Sequence, residues 1–282
     1  MAFLMLNDTS SLLSQKLNFS RAELEVRSVG GNAFISHQLM PHPFHMTVPF
    51  SINGDPENFL TLYIQSSSGG LYDCDIHELN VDLQKDTNFH LTTQASTIVH
   101  EAKRHEGAHQ QLNFKVKENS YFEYLPDPVI LMAGSKYKGT VSVELSKGAK
   151  AVISDSFITH DPQAENQTFV ECLNETKVFY DNELVFDDKY FVRGVDYLQR
   201  NGSFPCIGSI YLFGIDKAVV KLIETQLVEV DGCYFGCSIS EEHHIVVRLL
   251  AQNALILTDA MNMVWSGARE IVTGEVPKKR RK

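Results

Sequence analysis

Alternating apolar residues, punctuated by polar turns at a recurring interval, constrain this chain more than any other feature. Leu112, Phe114 and Val116 alternate with polar neighbours, as do Val141, Val143 and Leu145, and the pattern runs from about residue 58 to 192. A period of two puts one face of each segment in a core and the other in solvent, so these segments read as strands. The turns fall at Gln84-Lys85-Asp86-Thr87-Asn88, Lys117-Glu118-Asn119, Ser146-Lys147-Gly148 and Asp181-Asn182-Glu183, roughly thirty residues apart. Repetition at that interval predicts a mainly β fold in which stacked β-hairpins form an elongated, helical-layer core. A compact β-sandwich with the same strand count fits the same pattern.

Two helices are expected toward the C-terminus. Asp216 is placed to cap a segment whose Val219, Leu222, Ile223 and Leu227 fall at helical spacing. A second stripe, Leu257, Met261, Val264, Trp265, Ala268 and Val272, ends at Gly274. Both stripes are ordinary core-packing faces, and the lone Trp265 has no separate role. Between them, Ile245, Val247 and Leu249 alternate as a strand. Earlier in the chain, Tyr124-Leu125-Pro126-Asp127-Pro128 reads as a rigid corner between strands. Its two prolines fix their own φ and hold Leu125 and Asp127 extended.

With 282 residues and 43% hydrophobic content, the chain has enough apolar surface for a large core. The organisation expected is an N-terminal segment, 1–40, without an assigned fold, one β-rich domain over 41–274, and a solvated, disordered basic tail over 275–282. Five of the 25 basic residues, Lys278-Lys279-Arg280-Arg281-Lys282, form that tail, so the remaining 20 stand against 35 acidic residues and the body carries −15. Such a body repels nucleic-acid phosphate, and no nucleic-acid partner is expected. No run of about 18 apolar residues occurs, and Met1-Ala2-Phe3-Leu4-Met5-Leu6 lacks a basic flank, so neither a membrane span nor a secretory signal is expected. Cys74, Cys172, Cys206, Cys233 and Cys237 are odd in number and scattered, which favours reduced thiols and a cytoplasmic location.

No phosphate-binding loop and no Gly-x-Ser-x-Gly elbow is present. His100-Glu101 with His105 and His109 has the wrong spacing for a zincin helix, and reads as a polar loop. Cys233 and Cys237 lack a second pair to complete four zinc ligands, and the other histidines, among them His42, His45, His243 and His244, are dispersed. Among carboxylates, Asp75 follows Gly69-Gly70 and Cys74 at a strand entrance, and Glu165 lies in the turn-rich run after His160. Each is equally at home capping a loop. Carboxylates and imidazoles in sequence can also pass a divalent cation along without holding it tightly.

At these residues the chain resembles the urease accessory protein D family (UreD, also called UreH). The matching elements occur in order: Gly69-Gly70 with Cys74-Asp75, Leu91-Thr92-Thr93-Gln94-Ala95-Ser96-Thr97, and Glu118 through Tyr124-Leu125-Pro126-Asp127-Pro128. Similarity continues through Ser154-Asp155, Ala164-Glu165-Asn166, Asn182-Glu183-Leu184, Gly208-Ser209-Ile210 and Val264-Trp265, covering about residues 40 to 272. The resemblance implies a non-catalytic cytoplasmic scaffold that joins UreF and the GTPase UreG and presents apo-urease for nickel insertion, with room for a homodimer within the complex. No cofactor is tightly bound on this reading; nickel passes through. It implies Asp75 and Glu165 as acids on a nickel path, and structural roles for Gly69, Gly70, Thr92, Thr93, Gln94, Tyr124, Leu125, Pro126, Asp127 and Pro128.

The chain departs from that pattern where the family commonly has Gly-Asp for Cys74-Asp75, a basic residue and an aromatic at Ile98-Val99-His100, and Gly-Glu for Ala164-Glu165. Cys74 is read as a small buried replacement for glycine, with a soft metal ligand as the alternative. Two rival functions are a β-solenoid hydrolase using Asp155, Asp161 and Glu165 for acid–base work, and a binding module directed by the basic tail.

Overall fold

The computed structural model of the protein describes residues 17–52, 55–56, 58–104, 106–161, 167–201, 204–240 and 244–278. The chain opens with an antiparallel pair, β1 (Asn18–Val29) and β2 (Asn32–Leu39), and a short β3 (Phe44–Met46). It then winds. Four coils follow: β4 (Phe59–Ser66) with β5 (Asp75–Leu83); β6 (Asn88–Thr93), β7 (Ile98–Val99) and β8 (Ala108–Val116); β9 (Tyr121–Tyr124), β10 (Val129–Met132) and β11 (Lys136–Leu145); and β12 (Lys150–His160) with β13 (Glu171–Tyr180). The remainder is β14 (Glu183–Arg193), α1 (Gly194–Asn201), β15 (Cys206–Phe213), α2 (Ala218–Leu227), β16 (Cys233–Ile239), β17 (Ile245–Ala251) and α3 (Ala254–Thr273).

Each coil contributes to both of two sheets, and the second and third coils add a further short strand, β7 and β10, to the larger one. The seven-stranded sheet runs β14-β13-β11-β8-β5-β1-β2, and the ten-stranded sheet runs β16-β17-β15-β12-β9-β6-β4-β3, with β10 and β7 beside β12. Successive coils pair parallel and in register, so like side chains stack. Leu24, Val81, Phe114, Val143 and Val178 form one row across the first sheet. Leu60, Phe89, Phe122, Ala151 and Phe213 form the facing row in the second. Their rings meet between the sheets, Phe114 and Phe122 at 4.9 Å. This is the helically layered, mainly β core expected from the alternation.

The recurring turns do two different jobs. Three of them carry the chain from one sheet to the other, so the repeating unit there is an arch whose two strands do not pair. Asp86 and Asn119 take positive φ at successive corners, Gly148 does the same at the third, and Asn119 Nδ2 donates to Asp86 Oδ1 at 3.2 Å. A Cβ on Gly148 would come within 2.7 Å of Asn119 Oδ1, which is why the stack ends in glycine there. The fourth turn closes a true hairpin, β13–β14, with Asp181 and Asn182 both at positive φ as a type I′ turn requires.

Both expected helices form. Asp216 Oδ1 accepts from Ala218 N at 2.8 Å ahead of α2, Asn253 caps α3 by accepting from Ile256 N, and Gly274 closes α3 in the left-handed conformation. The two helices lie on the far face of the second sheet, where Val219, Ile223, Leu257, Val264 and Ala268 join Val247 and Leu249 in a second core. The third helix, α1, carries no sequence signal because its described side chains bury little beyond Tyr197.

A buried ionic cluster fixes α3 to the sheet. Arg269, on α3, donates from Nε to Glu123 Oε1 at 2.9 Å and from Nη2 to Glu123 Oε2, while Nη1 reaches Asp55 Oδ1 at 2.8 Å. His90 Nδ1 lies 2.7 Å from Glu123 Oε2. All four side chains are within 2% of fully buried. The guanidinium also sits over Phe59 at 4.0 Å and Trp265 at 5.0 Å. Burial pushes the Glu123 carboxyl up, but the Arg269 charge and the bonds from Arg269 and His90 outweigh it and hold the group well below the usual carboxylate range.

Candidate functional site: a polar seam between the sheets

Between the sheets, the apolar rows give way at one level to polar side chains, and the interior opens. A cleft of about 610 Å³ is walled by the 66–71 and 93–98 loops, His45, His77, Gln110 and Tyr124. A smaller cavity of about 40 Å³ shares Thr93, Thr97, Gln110, Leu112 and Tyr124 with it and adds Tyr137, Asp155 and Asn174. A third, about 20 Å³, shares Pro126, Asp127 and Ser154 with the second and reaches α3 at Met261 and Asn262. The three spaces adjoin one another through these common wall residues.

The threonine pair and the proline corner, far apart in sequence, are bonded here. Thr92 Oγ1 donates to the Leu125 carbonyl at 2.6 Å, and Asp127 N donates to Thr93 Oγ1 at 2.9 Å. Leu125 N also donates to Leu91 O at 3.0 Å. These bonds hold Tyr124 and Pro126 against the cavities. Gln94 lines the large cleft with Gly69 and Gly70, and a Cβ on Gly70 would lie 2.2 Å from the Ile98 carbonyl, an approach only glycine permits.

Asp75 begins β5 and is buried. Its carboxylate accepts from Asn18 Nδ2 at 3.0 Å and from Tyr72 N at 2.8 Å, bracing the turn that feeds the strand. Cys74 stands at φ +73 with only 2% exposure, a backbone conformation suited to glycine, so the thiol occupies a small interior position. Glu165 lies outside the described residues, as do His105 and His243. Asp161 accepts from Gln167 N at 3.0 Å. His109 is on β8, bonded to Thr140 at 3.1 Å, and burial, aided by the Lys138 charge, lowers its pKa to about 4. His100 stacks on Tyr72 at 4.3 Å. Cys233 and Cys237 are half-buried on β16, with thiols pushed up by burial. Among the described residues, no group of three His, Cys, Asp or Glu is arranged to hold a metal ion.

The most constrained chemistry of the seam centres on Asp155. From β12 it faces β14, where Tyr190 donates to Oδ1 at 3.1 Å, and β15, where the Tyr211 hydroxyl lies 3.1 Å from Oδ2. Tyr211 is also 2.7 Å from Asp188 Oδ2, which is paired to Arg248 of β17. Burial raises the Asp155 pKa to about 6, against the opposing Arg248 charge and the two tyrosine bonds. The sequence groups Asp155 with Asp161 and Glu165; among the described residues, the acid that the fold brings beside it is Asp188.

Comparison with known proteins adds a lineage. A family model described as UreD urease accessory protein matches residues 20–282. Urease accessory protein UreD 3 of Bradyrhizobium sp. (strain ORS 278) is 29% identical over 265 residues, covering 93% of this chain and 94% of that protein. Urease accessory protein UreD 1 of Methylorubrum populi is 27% identical over 93% of this chain and 91% of its own. A more distant relative, urease accessory protein UreD of Haloquadratum walsbyi, is 25% identical over 82% of this chain and 78% of its own.

Proposed function

Because the chain belongs to the UreD urease accessory protein family, we propose that it acts as a non-catalytic scaffold in urease maturation, holding apo-urease with UreF and the GTPase UreG while nickel is inserted. The family match over residues 20–282 carries this reading. The GTPase supplies nucleotide chemistry, in keeping with a chain that has no phosphate-binding loop. Nickel is cargo here, and its internal route follows the adjoining cavities. Asp75 and Glu165 are the acids assigned to that route by resemblance to the family; Asp75 stands two residues before His77 of the cleft wall. The chain works in the cytoplasm; among the described residues, no helix is long and apolar enough to cross a membrane.

Hydrolysis is the weaker reading. Both oxygens of Asp155 already face tyrosine hydroxyls, and Asp188 is held by Arg248, so neither of these two acids is free to flank a substrate bond. The deciding experiment is co-expression of urease structural genes with the other accessory genes, with and without this chain. Without it, urease is expected to drop to background activity with depleted nickel; a fully active, nickel-loaded urease would overturn the proposal. For the route, the Asp75→Ala plus Glu165→Ala double variant is expected to assemble with its partners yet deliver less nickel. Normal assembly together with normal activation removes the two acids from it.

A further inference from the structure

Counting hydrogens around Asp155 determines which groups carry protons. Asn174 Nδ2 donates to the Tyr190 oxygen, which leaves the single Tyr190 hydrogen for Asp155 Oδ1 at 3.1 Å. Tyr211 also has one hydrogen and two acidic neighbours, Asp188 Oδ2 at 2.7 Å and Asp155 Oδ2 at 3.1 Å. Were it donated to Asp155, two acceptor oxygens would be left facing each other at 2.7 Å beside Asp188. Donated to Asp188, it leaves the Asp155–Tyr211 contact in need of a hydrogen, which only Asp155 can supply. Arg248 settles the other end: its guanidinium pairs with Asp188, bonds Ser209, and lies 3.3 Å from the Tyr211 oxygen, so Asp188 is the ionised acid.

We propose that Asp155, Tyr211 and Asp188 form a proton relay from the interior cavity to the surface. The proton on Asp155 Oδ2 passes to Tyr211 Oη as the Tyr211 proton passes to Asp188 Oδ2 and from there to bulk water. One O–H bond breaks and one forms at each oxygen crossed; Tyr211 is again a phenol, Asp188 again a carboxylate, and Asp155 is left ionised with one proton released. Exposure rises along the path, from 1% at Tyr211 to 21% at the Asp188 side chain and 40% at Arg248. The inner end lines the second cavity.

The groups that face Asp155 or act on it electrostatically are Tyr190 and Asp188 of β14, Tyr211 of β15, Arg248 of β17, Cys172 of β13 and Tyr137 of β11. The phenols and the thiol are held neutral by burial, so the Asp188–Arg248 pair supplies the fixed charge beside the relay. A cation entering the cavity would be compensated by the proton that leaves. That use rests on the accessory reading, whereas the relay itself rests on the bonding pattern.

The test is carboxyl-carbon NMR of the full-length protein labelled at aspartate, combined with pH-jump kinetics, neither of which needs urease. Asp155 is expected to titrate near pH 6. Asp188→Asn removes a negative neighbour and moves that midpoint down; Arg248→Met moves it up. Tyr211→Phe is expected to slow proton exchange at Asp155 by roughly 10²-fold, while Tyr190→Phe, which removes a partner off the path, leaves the rate within about twofold. Asp188→Asn slows exchange as well and serves if Tyr211→Phe does not fold. An Asp155 that is ionised at pH 5, or equal rates in the Tyr211→Phe and Tyr190→Phe proteins, overturns the relay. If the relay holds but these variants activate urease normally, its link to nickel fails and the relay stands.

Discussion

Replacing Arg269 with alanine is expected to destabilise the fold by about 3–5 kcal/mol, the largest effect of any polar substitution considered for the described residues. The guanidinium bonds two buried carboxylates, Glu123 and Asp55, and its removal strands Asp55 and leaves Glu123 with His90 beside it among the described residues. The loss is therefore the stranding of buried acid more than the absence of an attraction. Two contrasts separate these contributions. Arg269→Lys keeps the charge but loses the two-pronged contact with Glu123 and is expected to fall between wild type and alanine. Arg269→Met with Glu123→Leu and Asp55→Asn removes all the charges of the pairings together and is expected to recover much of the loss. Urea unfolding at pH 7 measures all three; a cost below about 1 kcal/mol for Arg269→Ala would mean that water solvates the cluster.

Asp155→Asn is expected to act in the opposite direction. The Asp155 pKa rises from 3.8 to about 6 on folding. Below about pH 4, both folded and unfolded chains hold the proton, and the group contributes nothing to stability. Between pH 4 and 6, the unfolded chain ionises first, so stability falls as pH rises; above about pH 6, the full penalty persists. Two pKa units correspond to a penalty on the order of 3 kcal/mol. Asparagine is neutral throughout and keeps one acceptor for Tyr190 and one donor for Tyr211, matching the protonated acid. The variant should therefore equal wild type at pH 4 and exceed it at pH 7.5 in parallel urea titrations. A variant less stable than wild type at pH 7.5 would contradict the raised pKa of Asp155.

Much of this architecture is written in local pattern. Alternation located the strands, Asp216 and Gly274 marked helix ends, and the spacing of the turns pointed to a layered core while fitting a β-sandwich as well. An arch and a hairpin could not be told apart at Lys117-Glu118-Asn119, because both use short polar turns and differ only in whether the flanking strands pair. Arg269 was equally opaque. It adjoins the apolar stripe of α3, where a charged residue ordinarily turns to solvent, and only acids about 146 and 214 positions away bring it inside. The threonine and proline motifs were visible as words in the sequence, but their bond from Thr92 to Leu125 depends on one coil resting on the next. Cys74, read as a small buried stand-in for glycine, is indeed 2% exposed, and the fold adds a positive φ that its sequence did not signal.

The parallel register of the coils fixes how such a molecule can change length. Because Leu24, Val81, Phe114, Val143 and Val178 occupy one row, losing a single residue within β8 would turn Leu112, Phe114 and Val116 outward and expose their polar neighbours to the core. Losing or gaining a whole turn of the winding leaves every remaining row aligned and moves only the distance between its two ends. Length in such a molecule therefore comes as on a ruler, in whole divisions, and the number of divisions sets the spacing between the surfaces at either end.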